Sequence, residues 1–85
     1  MRFGRRVRFI ARDKPRAAAE FVSRIEEKCR LLAQFPEMGS ARDDLSPGLR
    51  DFSVAKYVIL FRAQHDGILV VRVLSGYRDI DSLFA

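Results

Sequence analysis

The chain has 85 residues, 48% of them hydrophobic and 32% charged, and its formal net charge is +5. This length allows a single domain over residues 1–85 with one modest core, and the composition excludes a disordered chain. Every apolar run is far shorter than the roughly 20 residues of a membrane helix, so we expect a cytoplasmic protein without a membrane partner. The positive charge favours an acidic partner.

The chain carries little catalytic or metal-binding chemistry. Cys29 is the single cysteine and His65 the single histidine, which excludes an internal disulfide and a cysteine-based metal cluster. His65 lies in a predicted turn without a neighbour that would complete a nucleophilic triad. We therefore expect no catalytic residues, no metal site and no cofactor.

The first predicted element is a helix at the N-terminus. Phe3, Val7 and Ile10 have helical spacing, and Lys14-Pro15 would end the helix because a residue before proline avoids helical angles. The alternation of Val7 and Phe9 with arginines also suits a strand, but we prefer the helix.

A second helix is predicted to begin at Pro15, where the missing N–H of proline costs nothing. Its apolar stripe recurs at helical spacing and comprises Ala18, Phe21, Val22, Ile25, Cys29 and Leu32. We interpret Cys29 as a core residue within this stripe. Proline and glycine in residues 35–39 end the helix, and a loop follows up to Gly48.

Three strands are predicted in the second half of the chain, over residues 49–53, 56–62 and 68–74, which are dense in Val, Ile, Leu and aromatic residues. Asp66-Gly67 predicts a hairpin between the last two, because both residues tolerate positive φ. The expected fold is therefore α+β, with two N-terminal helices packed on a small antiparallel three-stranded sheet.

Both faces of the predicted hairpin are apolar. A two-residue turn would pair Arg62 with Val71 and Leu60 with Val73. The side chains on one face are then Val58, Leu60, Val71 and Val73. Those on the other face are Tyr57, Ile59, Phe61, Ile68, Val70 and Leu74, with Arg72 among them. Because two short helices can cover only one of these faces, we expect the second to meet a partner.

Several segments occur together in a characteristic order. They are KPRAA at 14–18, FPEMG at 35–39, Arg42, Leu45, PGLRDF at 47–52, YVILFR at 57–62, DGI at 66–68 and RVLSGYRDI at 72–80. In this order and spacing, over nearly the whole chain, they resemble the ParE branch of the ParE/RelE family of bacterial toxins.

The resemblance implies the toxin of a type II toxin–antitoxin pair. ParE-like members poison DNA gyrase without catalysis, and a ParD-like antitoxin neutralises them by wrapping an extended, partly helical acidic tail over the toxin. The residues expected to contact the antitoxin are Val58, Leu60, Val71, Val73 and Arg50. The residues expected to contact the target are Arg62, Arg72, Arg78 and Asp79.

Two other functions are weighed against this one. RelE-like members cleave mRNA on the ribosome with basic middle-strand residues and a C-terminal arginine and tyrosine. Here the middle-strand positions hold Leu49, Asp51 and Val58, and although Arg78 keeps the arginine, Phe84 stands in place of the tyrosine. A phenyl ring cannot transfer a proton, so we expect no enzymatic activity. A non-toxic basic module that binds nucleic acid directly is the third hypothesis.

The chain departs from the ParE pattern at its N-terminus. ParE-like chains begin with an edge strand and a long first helix, whereas this chain is expected to start inside that helix. We therefore expect the N-terminal edge strand to be missing, which would leave backbone donors of the neighbouring strand unpaired.

Overall fold

The computed structural model describes residues 5–10 and 19–75, with the side chains of 19–21 excepted. The elements are β1 (Arg6–Phe9), α1 (Ala19–Gln34), a 3-10 turn (Pro36–Met38), β2 (Ser40–Ala41), β3 (Leu49–Val54), β4 (Tyr57–Gln64) and β5 (Gly67–Ser75). The five strands form one sheet in the order β1-β5-β4-β3-β2. β1 runs parallel to β5, and the other neighbours are antiparallel.

The expected fold class is wrong in both of its layers. Within the described residues there is one α-helix instead of two, and the sheet is mixed and five-stranded instead of antiparallel and three-stranded. The two strands that the sequence analysis missed are β1 and β2, which lie at opposite edges of the sheet.

β1 lies where a helix was predicted, and it also overturns the expectation of a missing N-terminal edge strand. Arg6 to Phe9 pair in parallel with Gly67 to Val70. The Arg6 amide donates to the Asp66 carbonyl at 2.6 Å, and the Ile10 amide donates to the Val70 carbonyl at 3.1 Å. Pairing with the edge of β5 therefore favours a strand in this segment over a helix. The rest of the predicted first helix, including Phe3 and Lys14-Pro15, lies outside the described residues.

The predicted second helix is confirmed over the described range as α1. Ile25, Cys29 and Leu32 are fully buried against the sheet, while the predicted start at Pro15 lies outside the described residues. The helix ends at Gln34, and Pro36, which lacks an amide hydrogen, opens the 3-10 turn that follows. Within residues 5–10 and 19–75, no helix is long and apolar enough to cross a lipid bilayer.

The three predicted strands are confirmed, but the hairpin register is wrong. The turn residues are His65 and Asp66, because Gln64 already pairs with Gly67, and a β-bulge shifts the register between Leu60 and Phe61. Leu60 therefore lies opposite Arg72, and not opposite Val73. Val71 is the extra residue of the bulge, and beyond it the side chains of β5 exchange faces.

Two apolar clusters form on the two sides of the sheet, which confirms the predicted two-sided apolarity. The helix-side cluster consists of Ile25, Cys29, Leu32, Ala33, Val54, Ile59, Phe61, Ile68 and Val70. The cluster on the other side, which we call the distal cluster, consists of Leu49, Val58, Leu60 and Leu74, and Leu45 and Val71 pack against it. The bulge moves Val73 to the helix side and Leu74 to the opposite side, the reverse of their predicted places.

Cys29 is fully buried in the helix-side cluster, which shields its thiol from solvent. Loss of solvation, followed by the nearby charge of Glu26, raises the pKa of Cys29 to about 12. Since the thiolate is the reactive form, we expect iodoacetamide to leave the native chain unmodified near pH 8 and to modify it fully in urea. Mass spectrometry of the two samples measures this, and equal alkylation rates would contradict the burial.

Candidate functional site

The basic N-terminal segment binds the β4–β5 turn. The Arg8 guanidinium donates to both carboxylate oxygens of Asp66, at 2.9 Å each, and Arg8 Nη1 also donates to Gln64 Oε1 at 3.0 Å. Arg5 Nη1 donates to the His65 carbonyl oxygen at 2.8 Å. Arg5 and Arg8 thus hold β1 against the turn between β4 and β5. We call this set of contacts the turn clamp.

The turn clamp makes the free energy of unfolding depend on pH. The hydrogen bond from Arg8 is the main cause that lowers the pKa of Asp66 from 3.8 to about 2. Because this pKa is lower in the folded chain than in the unfolded chain, the clamp stabilises fully above about pH 4 and is lost as the pH falls towards about pH 2. Urea midpoints measured across this range should fall more steeply for the wild type than for Asp66→Asn. Parallel curves would contradict the prediction.

A second ionic cluster lies on the face of the sheet away from α1, which we call the distal face. Arg42 Nη1 donates to Oδ2 of Asp51 at 3.0 Å, and the Asp51 side chain is only 8% exposed. Arg42 also binds both carboxylate oxygens of Asp44 at 3.0 Å, which raises the pKa of Arg42 and lowers that of Asp44. These bonds fix the loop between β2 and β3.

Two of the predicted target-binding residues share the distal face. Arg62 lies opposite Leu49 on β3, and Arg72 lies opposite Leu60 in the bulge. Arg62 donates to the Pro47 carbonyl oxygen, and its Nη2 donates to Ser46 Oγ at 2.7 Å. Both acceptors are neutral, so these bonds orient the guanidinium without cancelling its charge. The other two predicted residues, Arg78 and Asp79, lie outside the described residues.

The predicted antitoxin-binding residues do not form one surface. Val58 and Leu60 lie within the distal cluster, at 1% and 0% exposure, and Val71 packs on them half-buried. Val73 packs on the helix side. Arg50 reaches the same side, where it donates to the carbonyl oxygens of Pro36 at 3.0 Å and Gly39 at 2.6 Å.

The positions at which RelE-like members carry basic residues are also on the distal face. Leu49 and Val58 are fully buried, and Asp51 is held by Arg42. No group of three His, Cys, Asp or Glu residues in the described ranges is placed to hold a metal ion.

An open groove, which was not predicted from the sequence, lies between β1 and α1. Its walls are Arg5, Val7 and Phe9 from β1 and its approach, and Glu26 and Arg30 from α1, and its volume is about 330 Å³. The signal was present in the alternation of arginine with Val7 and Phe9, which fits a strand with one apolar side.

Comparisons with known proteins support the family resemblance that was drawn from the sequence. The family described as "ParE toxin of type II toxin-antitoxin system, parDE" matches residues 4–80. The protein named Toxin ParE3 from Caulobacter vibrioides is 38% identical over 61 residues, which make up 72% of this chain and 61% of that relative. The match therefore spans less than two thirds of the relative. Because the family matches nearly the whole chain, the predicted resemblance is confirmed, and the chain belongs to the ParE toxins of type II toxin–antitoxin systems.

Proposed function

We propose that the chain is a toxin that inhibits DNA gyrase by binding it, and that a ParD-like antitoxin neutralises it in the cytoplasm. The observation that carries this proposal is the family match over residues 4–80. The chain's net charge of +5 suits an acidic antitoxin.

The distal face supplies the target-binding surface in this proposal. Arg62 and Arg72 lie on neighbouring strands there, and Arg78 and Asp79 follow β5 in the sequence. Guanidinium groups bind carboxylates and phosphates through paired hydrogen bonds, so this arrangement suits an anionic patch on the target.

A binding mechanism accounts for the distal face better than RNA cleavage does. Leu49 and Val58 have no group that can move a proton, and the carboxylate of Asp51 is engaged by Arg42. These three positions support a non-catalytic inhibitor.

The test is a gyrase assay with the purified chain. We expect the wild type to accumulate cleaved DNA in the presence of gyrase, and Arg72→Ala to require at least about tenfold more protein for the same effect. Lys28→Ala, on the helix at the other side of the sheet, is the matched control and should act like the wild type. Antitoxin binding measured in parallel should be retained by Arg72→Ala.

Two outcomes would replace this function with another. Cleavage of mRNA on ribosomes by the purified chain would establish an endoribonuclease. Direct binding to DNA without gyrase, which weakens steeply as salt increases, would establish a nucleic-acid-binding module.

A further inference from the structure

The loop between β2 and β3 holds Arg62 in one orientation on the distal face. Arg62 donates to the Pro47 carbonyl oxygen, and its Nη2 donates to Ser46 Oγ at 2.7 Å. A long side chain loses conformational freedom when it binds a ligand. A guanidinium that is already held in place therefore binds at a smaller entropic cost than a mobile one.

The loop is closed by its own hydrogen bonds. The Ser46 amide donates to the Arg42 carbonyl oxygen at 3.2 Å. The Gly48 amide donates to Oδ1 of Asp43 at 2.8 Å. Arg42 in turn fastens the loop to Asp51 on β3. The two groups that accept from the guanidinium are therefore in place before any ligand binds.

The held guanidinium keeps both its charge and some of its donors. Among the described residues, no carboxylate forms an ion pair with Arg62. A guanidinium has more N–H groups than the two bonds to the loop use. The Ser46 hydroxyl accepts from Arg62, and a hydroxyl group can donate its own hydrogen at the same time. An anion beside the pair can thus accept from both side chains.

The charges around Arg62 favour a ligand with one isolated negative charge. Asp43 and Asp44 are exposed on the same loop, and Arg42 alone offsets these carboxylates and that of Asp51. A nucleic acid carries a phosphate at each nucleotide, so its neighbouring phosphates would be repelled here. A segment with clustered acidic residues would meet the same repulsion, which a single carboxylate avoids.

Apolar side chains lie on the same face as the guanidinium. Leu69 on β5 lies opposite Arg62 and is half-buried. Leu45 is also half-buried and packs on the distal cluster. Apolar surface around a charged group is typical of a protein–protein contact, in which it covers apolar groups of the partner. The ligand that fits is therefore a carboxylate on a protein surface.

We propose that Arg62 and Ser46 form a carboxylate receptor that binds one glutamate or aspartate side chain of the toxin's protein target. Arg62 supplies the charge and paired N–H donors. Ser46 is a positioning residue for Arg62 and also donates from its hydroxyl group. The identity of the target, DNA gyrase, rests on the proposed function, whereas the chemistry of the receptor rests on the loop between β2 and β3.

The first experiment tests the carboxylate receptor without a partner protein. Sodium acetate is the probe, and sodium chloride at the same ionic strength is the control. In NMR spectra of the arginine side chains, acetate should shift the Nε signal of Arg62 at lower concentrations than that of Arg30 on α1. Ser46→Ala should abolish this difference. Equal responses of the two arginines in the wild type would overturn the inference.

The second experiment measures binding to purified gyrase. Ser46→Ala should weaken this binding about three- to tenfold, because a hydrogen bond and the orientation of Arg62 are lost. Ser46→Thr keeps the hydroxyl group and should stay within about twofold of the wild type. Ser23→Ala, on α1 at the other side of the sheet, is the matched control and should bind like the wild type.

Two charge variants complete the test. Arg62→Lys keeps the positive charge without the planar fork and should weaken gyrase binding about tenfold. Asp44→Ala removes a repelling carboxylate and should strengthen acetate binding by about two- to threefold. Misfolding cannot produce this gain.

Other occupants of the receptor would be recognised by their own results. A short DNA duplex that shifts the Arg62 signal at lower concentrations than acetate does would assign the site to nucleic acid. Loss of antitoxin binding, with gyrase binding retained, in Arg62→Lys would assign it to the antitoxin. Either result would overturn the inference.

Failure of the inference and failure of the proposed function are separate results. If the wild type binds gyrase and neither Ser46→Ala nor Arg62→Lys weakens this binding, the inference is overturned and the proposed function stands. Equal losses in Ser46→Ala and Ser46→Thr would also overturn it, because the hydroxyl group would then have no role. A wild type that does not bind gyrase would overturn the proposed function and the named target, while the acetate titration would still decide the receptor.

Discussion

Replacing Gly67 with alanine is expected to detach β1 from the sheet and to lower the free energy of unfolding by about 3 kcal/mol. Gly67 has a φ of +152°, which side-chain-bearing residues rarely adopt. A methyl group there would overlap the Arg6 carbonyl oxygen and lie 2.6 Å from the Arg6 nitrogen. The neighbour is backbone, so it cannot move aside without breaking the β1–β5 pairing.

Gly48→Ala is the matched control for this substitution. Gly48 also has a positive φ, of +80°, but a methyl group there would come no closer than 3.5 Å to Arg62 Nη1. Its expected cost is about 1 kcal/mol, from the backbone angle alone. Urea unfolding measures both variants, and amide exchange at Arg6 and Ile10 reports detachment of β1. Equal losses of stability in the two variants would show that β1 does not depend on Gly67.

Detachment of β1 should leave the helix-side core around Ile25 and Phe61 folded, because most of that cluster comes from α1 and the other strands. Far-UV circular dichroism of Gly67→Ala checks the remaining fold.

The parts of the fold that the sequence predicted are those with long, consistent patterns. The stripe through Ile25, Cys29 and Leu32 spans several turns and predicts a helix regardless of its neighbours. β4 and β5 are dense in branched and aromatic residues over eight and nine positions. Local preference and tertiary packing agree in these elements.

The elements that were not predicted are those whose structure depends on tertiary contacts. The apolar spacing around residues 6–9 fits both a helix and a strand. The free edge of β5 and the close approach of the backbone at Gly67 are what favour the strand. β2 has two residues and therefore no pattern. The bulge at Leu60/Phe61 has no glycine to mark it, so the register of the hairpin was not predictable.

The predicted site residues lie on the expected face where simple alternation along a strand holds, and on the other face where the bulge interrupts it. Arg62 keeps to the face of Val58 and Leu60 by simple alternation along β4. Val73 changes faces because it follows the bulge. Arg50 alternates with Leu49 along β3 and therefore reaches the helix side, where it holds the 3-10 turn.

Arg42→Ala is expected to lower the free energy of unfolding by about 3 kcal/mol, because it leaves the buried carboxylate of Asp51 without its guanidinium partner. The same guanidinium binds Asp44, whose side chain is 63% exposed. Water can solvate Asp44 after the substitution but reaches Asp51 poorly, so the cost comes from Asp51.

Two further variants separate these contributions. Asp44→Ala removes the exposed partner and should change stability by less than about 0.5 kcal/mol. Arg42→Ala combined with Asp51→Leu removes both members of the buried pair and should recover about 2 kcal/mol of the loss, since no buried charge is left unpaired and leucine extends the distal cluster. Urea unfolding of the wild type and of these three variants measures the differences in stability. If the double variant were no more stable than Arg42→Ala alone, the loss would come from the loop between β2 and β3 and not from the buried charge.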